Sequence, residues 1–178
     1  MSSTPYATPT DDQISWREAD RTYPLPPHLV AFLQGGVTAT LGARSATGRP
    51  VIGSGVACRV RNMSEVRVLL SPAANAALVD AVTKGSAVAA TFSRARDHRS
   101  IQLKASHARI RDALPDDVSE VARQTALLAD ELMDLGYTRI QADAYAFRHT
   151  VDLVSLEFHP ERVFTQTPGP GAGAELPR

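Results

Sequence analysis

The chain has 178 residues, of which 43% are apolar and 21% charged, proportions typical of a single globular domain. Nineteen basic residues balance nineteen acidic ones, so the composition gives no reason to expect nucleic acid or a membrane surface as the partner. The lone cysteine, Cys58, excludes an intramolecular disulfide, and its apolar neighbourhood predicts a buried, unreactive thiol.

Residues 1–24 are predicted to form a flexible N-terminal arm, because they mix Ser, Thr, Pro and Asp with only isolated Ile14, Trp16 and Tyr23. The segment is either a disordered leader or an arm that docks Trp16 onto the domain or a partner subunit, and we favour the second. It lacks the basic and apolar regions of a secretion signal, so a cytoplasmic location is expected.

Apolar residues that alternate with a period of two predict six strands. In the second strand, Ile52 is expected to share a face with Cys58. Gly53 and Gly55 in that strand indicate either the close approach of a backbone or flat ligand, or a bulge where a barrel bends. The predicted strands cover residues 37–43, 51–60, 66–70, 87–92, 100–110 and 151–164, the last broken at Pro160.

Helical periodicity predicts four helices, which begin near Pro26, after the cap Ser71, after Pro115 and at Thr138. Thr138 forms a capping-box pattern with the glutamine three residues later. Asp116 and Asp117 are interpreted as favourable charges at a helix start. The third helix carries an apolar seam predicted to cover the barrel mouth or meet a second subunit, formed by Val118, Val121, Thr125, Leu128, Leu132 and Leu135.

The prediction of a functional site centres on the stretch from Ala87 to Ile110, where two predicted strands flank a basic loop. That loop suits an anionic ligand or is simply solvated, and its charged residues are Arg94, Arg96, Asp97, His98 and Arg99. Short strands with tight turns and flanking helices predict a mainly β, α+β fold built on an antiparallel barrel.

Several segments resemble the pyridoxamine 5′-phosphate oxidase-like, FMN-binding split-barrel superfamily, over about residues 26–172. They are LGARSATGRPVIGSGVACRV, VRVLLSP, AVAATF, HRSIQLKA and PERVFTQTPGPGAG. The resemblance implies a six-stranded antiparallel split β-barrel over residues 25–166 that forms a homodimer with FMN at the subunit interface. Residues 167–178 form a Pro/Gly-rich tail, and we expect residues 165–171 to lie ordered against the barrel or the other subunit, with only the last residues free.

The resemblance also implies a set of cofactor-binding residues and an oxidoreductase activity on an unidentified small molecule. Oxidase-type members carry an Arg and a Lys after the third strand, where this chain has residues 75–78 instead. The FMN phosphate is therefore expected to depend on Arg99 and Lys104. The implied cofactor residues are Arg59, Ser71, Asn75, Arg99, Gln102 and Lys104.

Two alternatives stay open at the level of sequence. Some split-barrel relatives bind or degrade haem through an axial histidine, and His98 or His159 would be that ligand here, although each is also interpreted as a surface or capping residue. His107 is expected to pack in the barrel. The other alternative is a cofactor-free dimeric binding protein. No Cys/His spacing typical of a metal site is present.

Overall fold

The computed structural model describes residues 22–146 and 152–177. Most of the predicted N-terminal arm, including Trp16, lies outside the described residues. Phe147, placed by the sequence in the fourth helix, also lies outside them.

The described residues form four helices and nine strands. The helices are α1 (Pro27–Leu33), α2 (Ala76–Thr83), α3 (Asp117–Asp134) and α4 (Arg139–Ala146). The strands are β1 (Thr38–Arg44), β2 (Pro50–Gly55), β3 (Ala57–Arg61), β4 (Glu65–Leu70), β5 (Val88–Ser93), β6 (Ser100–Ala105), β7 (Arg109–Asp112), β8 (Val154–Phe158) and β9 (Arg162–Thr165).

The strands form two antiparallel sheets around one core. The five-stranded sheet has the order β2-β1-β5-β6-β9, and the four-stranded sheet has the order β3-β4-β8-β7. The inner faces of both sheets bury apolar side chains, each of which stabilises the fold by about 1.5–3 kcal/mol. Fully buried examples are Leu41, Val68, Phe92, Leu103 and Leu156. The mainly β architecture with flanking helices confirms the predicted fold class.

Six strands were expected, and three of them are interrupted. The strand predicted over residues 51–60 becomes β2 and β3, because Val56 and Ala57 both lie opposite Leu69 and form a bulge. The bulge shifts the alternation by one residue. Ile52 therefore points away from the core, 76% exposed, whereas Cys58 is buried. The expectation that these two residues share a face is wrong for this reason.

Gly53 and Gly55 both face the interior. A Cβ atom added at Gly53 would overlap Asn75 of the turn before α2, and one added at Gly55 would overlap Val68 of β4. The close approach suggested by the two glycines is therefore made by other parts of the same chain. Both of the sequence interpretations, a close backbone approach and a barrel bulge, describe part of what is found.

The start of α2 lies later than predicted. The helix begins at Ala76 rather than after Ser71, and residues 72–75 form turns. Ser71 Oγ accepts only a long, 3.5 Å hydrogen bond from the Ala74 N–H. Asn75 precedes the helix, but its side chain bonds to the backbone of Ser54 instead of capping the helix.

The α3 helix packs on the outer face of the four-stranded sheet through a buried ionic network. Arg67 of β4 is 1% exposed, and its guanidinium donates to both carboxylate oxygens of Asp117, each at 3.3 Å, and to Glu157 at 2.7 Å. Arg59 adds a 2.9 Å bond to Asp117 and a 2.7 Å bond to Asp116. The two aspartates at the helix start therefore fix α3 to the sheet.

The buried side of α3 differs at both ends from the predicted seam. Val118 and Leu135 are 48% and 45% exposed, because the first turn is oriented by Asp117 and the helix ends before Leu135. Gln124 is buried instead. Its side-chain amide accepts from the Cys58 N–H at 3.0 Å and donates to the Cys58 carbonyl at 2.6 Å. The amide thus pairs with backbone groups at the free edge of β3.

The predicted start of the fourth helix is confirmed. The Thr138 N–H donates to Gln141 Oε1 at 3.0 Å, and the Gln141 N–H donates to Thr138 Oγ1 at 3.3 Å, which is the reciprocal bonding of a capping box.

Residues 165–177 fold back along β9, and we call this segment the C-terminal hairpin. The backbone N–H and carbonyl of Thr165 both bond to residues on the returning arm, and the Leu176 N–H donates to the Val163 carbonyl at 2.8 Å. The Tyr23 hydroxyl donates to the Pro177 carbonyl at 2.6 Å. The end of the described chain is therefore attached to the barrel rather than free.

Removing the Asp117 carboxylate should destabilise the protein strongly, because Arg67 would keep a buried charge with fewer partners. We expect Asp117→Ala to lower the free energy of unfolding by about 3 kcal/mol or more, measured by urea denaturation at neutral pH. Asp116→Ala is the matched control, since the carboxylate of Asp116 is exposed. Equal losses in the two variants would contradict the assigned role.

The same network predicts acid sensitivity. Burial by itself would raise the pKa of Asp117, but a 2.6 Å bond from the Leu114 N–H and the charges of Arg59 and Arg67 outweigh it, so the pKa is lowered. A lowered folded-state pKa contributes stability above the unfolded value of 3.8 that is lost as pH falls through the folded value. Urea midpoints measured from pH 6 downwards should fall, and should fall less in Asp117→Asn.

Candidate functional site

The outer face of the five-stranded sheet carries no helix among the described residues, and short polar side chains cover much of it. Register places Ser54, Thr40, Thr91 and Gln102 in one row across four strands. Gln102 Nε2 donates to Thr91 Oγ1 at 3.0 Å. This row forms a flat polar surface, because none of its side chains is large except that of Gln102.

The next row forms a shallow depression that we call the trough. Its floor is Gly42 and Ala89, one wall is Ile52, and the other wall is Lys104 with Arg162. The walls on β2 and β6 are separated by three strand spacings, about 14 Å. The trough opens into a cleft of about 1220 Å³ that extends over the β1–β2 turn and the C-terminal end of α2.

Basic side chains predominate around the cleft. Lys84 pairs with Asp80 on α2 at 2.7 Å, while Arg44 and Lys104 form no ion pair with a carboxylate in the described part of the chain. The carboxylate that lines the cleft is that of Glu161, which accepts bonds from the backbone and hydroxyl of Ser106. The local charge therefore favours an anionic ligand.

The basic wall of the trough is built on an aromatic ring. Lys104 Nζ lies 4.6 Å and Arg162 Cζ 4.7 Å from the ring centroid of Phe164, which is buried. Lys104 and Arg162 also stand opposite each other on neighbouring strands. Like charges in that position repel each other, so the ring and a nearby anion both favour the arrangement. Glu175 of the C-terminal hairpin supplies that anion, accepting from Arg162 at 3.0 and 2.7 Å.

Comparison with known proteins identifies the fold. No protein-family model and no curated protein matches the chain. Among solved structures, HupZ from Group A Streptococcus aligns over 84% of this chain and 100% of its own, with a TM-score of 0.53 and 13% identity. The chain has a split-barrel fold, which it shares with HupZ. At this identity the likeness concerns the fold alone.

Two further structures align less well with this split barrel. A putative pyridoxamine 5′-phosphate oxidase from Lactobacillus delbrueckii covers 79% of this chain and 93% of its own, with a TM-score of 0.48 and 16% identity. HutZ, the heme storage protein from Vibrio cholerae, covers 80% and 95%, with a TM-score of 0.45 and 17% identity.

Of the predicted cofactor residues, Gln102 and Lys104 lie on the open face of this split barrel. Arg99 does not join them. It precedes β6, five positions and therefore roughly 16 Å from Lys104 along an extended chain. Because side chains alternate along a strand, a residue five positions from Lys104 belongs to the opposite face. The Arg99 guanidinium stacks 4.8 Å from the ring centroid of Phe32 in α1. The structure therefore separates Arg99 from Lys104, and a joint role of the two in binding a phosphate stays a prediction.

The other three predicted residues are placed elsewhere. Arg59 lies on the four-stranded sheet and pairs with the aspartates of α3. Ser71 follows β4, and the Asn75 amide bonds to the Ser54 backbone at 2.8 and 3.2 Å and to the Ser71 carbonyl at 2.9 Å. The Asn75 amide therefore joins α2 to β2. Their assignment to a cofactor stays a prediction.

The basic loop between β5 and β6 forms one ion pair within itself and one with α3. Arg94 bonds to Asp97, and Arg96 lies 3.4 Å from Glu131 of α3. Glu131 also accepts from the Ala95 N–H at 3.0 Å. These contacts favour the interpretation of a solvated loop, with its charges partly paired, over that of an anion site.

The histidines proposed as haem ligands lie at different turns, and neither lines the trough. His98 is exposed in the β5–β6 turn with a φ of 56°. His159 follows β8, and its Nδ1 lies 3.1 Å from the Ser64 carbonyl oxygen. His107 is half-buried in the β6–β7 connection and shares a small cleft with His159. Within the described ranges, no group of three or more His, Cys, Asp or Glu side chains is suited to a metal ion.

Sequence reasoning did not find the floor and one wall of the trough. Gly42, Ala89 and Arg162 become part of one site only through pairing among β1, β5, β6 and β9. The available signal was the small size of the residues at two outward positions, Gly42 and Ala89, next to the outward Lys104.

No helix among the described residues is long and apolar enough to cross a membrane.

Gly42 and Gly53 offer a direct test of which glycine serves packing and which serves the trough. A Cβ at Gly53 overlaps Asn75 and Leu78, whereas a Cβ at Gly42 meets only the Ala89 carbonyl oxygen, at 3.9 Å. We expect Gly53→Ala to lower the thermal midpoint clearly and Gly42→Ala to leave it nearly unchanged, measured by calorimetry. A larger loss in Gly42→Ala would contradict the assignment.

Proposed function

We propose that the protein binds FMN in the trough and acts as a flavin-dependent oxidoreductase on a small molecule. The observation that carries the proposal is a flat floor of small residues beside two basic side chains. The split-barrel fold supports the proposal, and so does the resemblance of the sequence to FMN-binding members of that superfamily.

The trough fits a flat ring system. The space above Gly42 is open, since the nearest heavy atom to a Cβ added there is the Ala89 carbonyl oxygen, at 3.9 Å. Ile52, 76% exposed, offers an apolar side wall. The cleft of about 1220 Å³ is larger than common small-molecule pockets, which measure roughly 300–1,000 Å³. It would therefore accommodate a cofactor and a second molecule side by side.

The residues around the trough also fit a phosphate. Lys104 and Arg162 would donate charge-assisted hydrogen bonds to its oxygens, and Arg44 extends the basic lining towards the β1–β2 turn. Gln102 and Thr91 would meet the polar edge of the ring, because they occupy the adjacent row on the same face. The chain therefore contributes binding, orientation and positive charge.

When bound, FMN would supply the hydride or electron transfer, since none of these side chains is redox-active. The protein would hold the ring against Gly42 and Ala89 and leave its other side to the substrate. The polar, exposed face around the trough would leave the ring open to water in a monomer. We therefore also propose that a second copy of the chain covers this face in a homodimer.

The assignment of Lys104 is tested by its replacement with alanine. Loss of a hydrogen bond to a charged group costs about 1.5–3 kcal/mol, so Lys104→Ala should weaken FMN binding roughly 10- to 150-fold. Arg99→Ala is the matched control, because Arg99 lies at the other end of β6. Quenching of flavin fluorescence gives the affinity, and equal behaviour of the two variants would contradict the site.

A second variant tests the floor. Gly42→Val should abolish FMN binding by filling the space above the sheet. The fold should be kept, because a Cβ added at Gly42 meets only the Ala89 carbonyl oxygen, at 3.9 Å, and because valine favours strands. Ala144→Val, on the exposed side of α4, places the same valine side chain away from the trough and should bind FMN normally. Normal FMN binding by Gly42→Val would place the ligand elsewhere.

A further inference from the structure

The C-terminal hairpin places a carboxylate on the basic wall of the trough. Glu175 lies beside β9, where Phe164 and Glu175 form a β-bridge. Both of its carboxylate oxygens accept hydrogen bonds from Arg162, at 3.0 Å from Nε and 2.7 Å from an Nη atom. Guanidinium groups bind phosphate in the same bidentate geometry.

The pair is exposed and therefore easily displaced. The side chains of Arg162 and Glu175 are 56% and 45% exposed, and ion pairs of that kind contribute little to stability. A phosphate dianion beside Lys104 would meet the two positive charges of Lys104 and Arg162 at once, and it carries more negative charge than a single carboxylate. The phosphate would therefore replace the Glu175 carboxylate as the partner of the Arg162 guanidinium.

We infer that Glu175 is an internal competitor for the anion subsite formed by Lys104 and Arg162. Binding of a phosphate monoester there displaces the Glu175 carboxylate from Arg162. This inference rests on the proposed function for the identity of the natural ligand, and on the Arg162–Glu175 geometry for the competition itself. The C-terminal hairpin thereby sets the affinity of the site.

The hairpin itself stays attached when the carboxylate moves. Its backbone bonds to Thr165 and Val163 do not involve the Glu175 side chain, nor does the Tyr23 bond to the Pro177 carbonyl. Replacement of Glu175 by glutamine should consequently leave the thermal midpoint nearly unchanged. The effect on ligand affinity can then be separated from an effect on folding.

The test compares the intact wild-type chain with Glu175→Gln and with a control of equal charge change, Asp143→Asn. Asp143 forms a comparable exposed pair with Arg139 on α4, away from the trough. Glu175→Gln should bind FMN and inorganic phosphate roughly two- to fivefold more tightly than wild type, in line with the small strength of exposed ion pairs. Asp143→Asn should bind both as wild type does.

The outcomes separate this inference from the proposed function. If Glu175→Gln binds phosphate more tightly but neither protein binds FMN, the competition stands and the proposed function fails. If FMN binds and Glu175→Gln gives equal or lower affinity, the competition is overturned and the proposed function stands. In wild type, phosphate should also shift the Arg162 Nε–H resonance, and the absence of a shift would overturn the competition.

Discussion

Antiparallel register across the five-stranded sheet determines the shape of the candidate site. It places a glycine, an alanine and two cations in one outward row, in the order Gly42, Ala89, Lys104 and Arg162. Because side chains alternate between faces, the same strands bury Leu41, Ala90 and Leu103 in the core. A shift of one residue in the pairing of β6 or β9 would turn Lys104 or Arg162 towards the interior, so the packing of the core also fixes the site.

The outer faces of the two sheets of the barrel differ in what covers them. The four-stranded sheet is covered by α3, whose first turn is held by the buried pair of Arg67 and Asp117. The five-stranded sheet carries no comparable cover in the described residues, and it exposes Ile52 and a row of hydroxyl side chains instead. A face of this kind is available for a flat ligand or a second subunit. The proposed site lies on this uncovered side.

Local pattern was enough to predict much of the fold. Alternation along β6 correctly separated Ile101 and Leu103 from Gln102 and Lys104, since strand geometry dictates it. The capping box at Thr138 was also visible, because its two partners are three residues apart. These features depend only on neighbours in sequence.

What the sequence did not reveal depends on partners far apart in the chain. The bulge at Val56 reverses the face on which Ile52 lies, and a single extra residue leaves little trace in the alternation. Asp117 was interpreted from its helix start alone, but its partner Arg67 lies 50 residues earlier. Arg162 joins Lys104 only through the pairing of β9 with β6.

The location of the flavin tests the account most directly. A crystal structure of the protein grown with FMN should show the ring over Gly42 and Ala89, with the phosphate beside Lys104 and Arg162. Electron density for FMN at the start of α2 near Ser71, or in the basic β5–β6 loop, would contradict the account. So would crystals that hold no FMN at concentrations that saturate a flavoprotein.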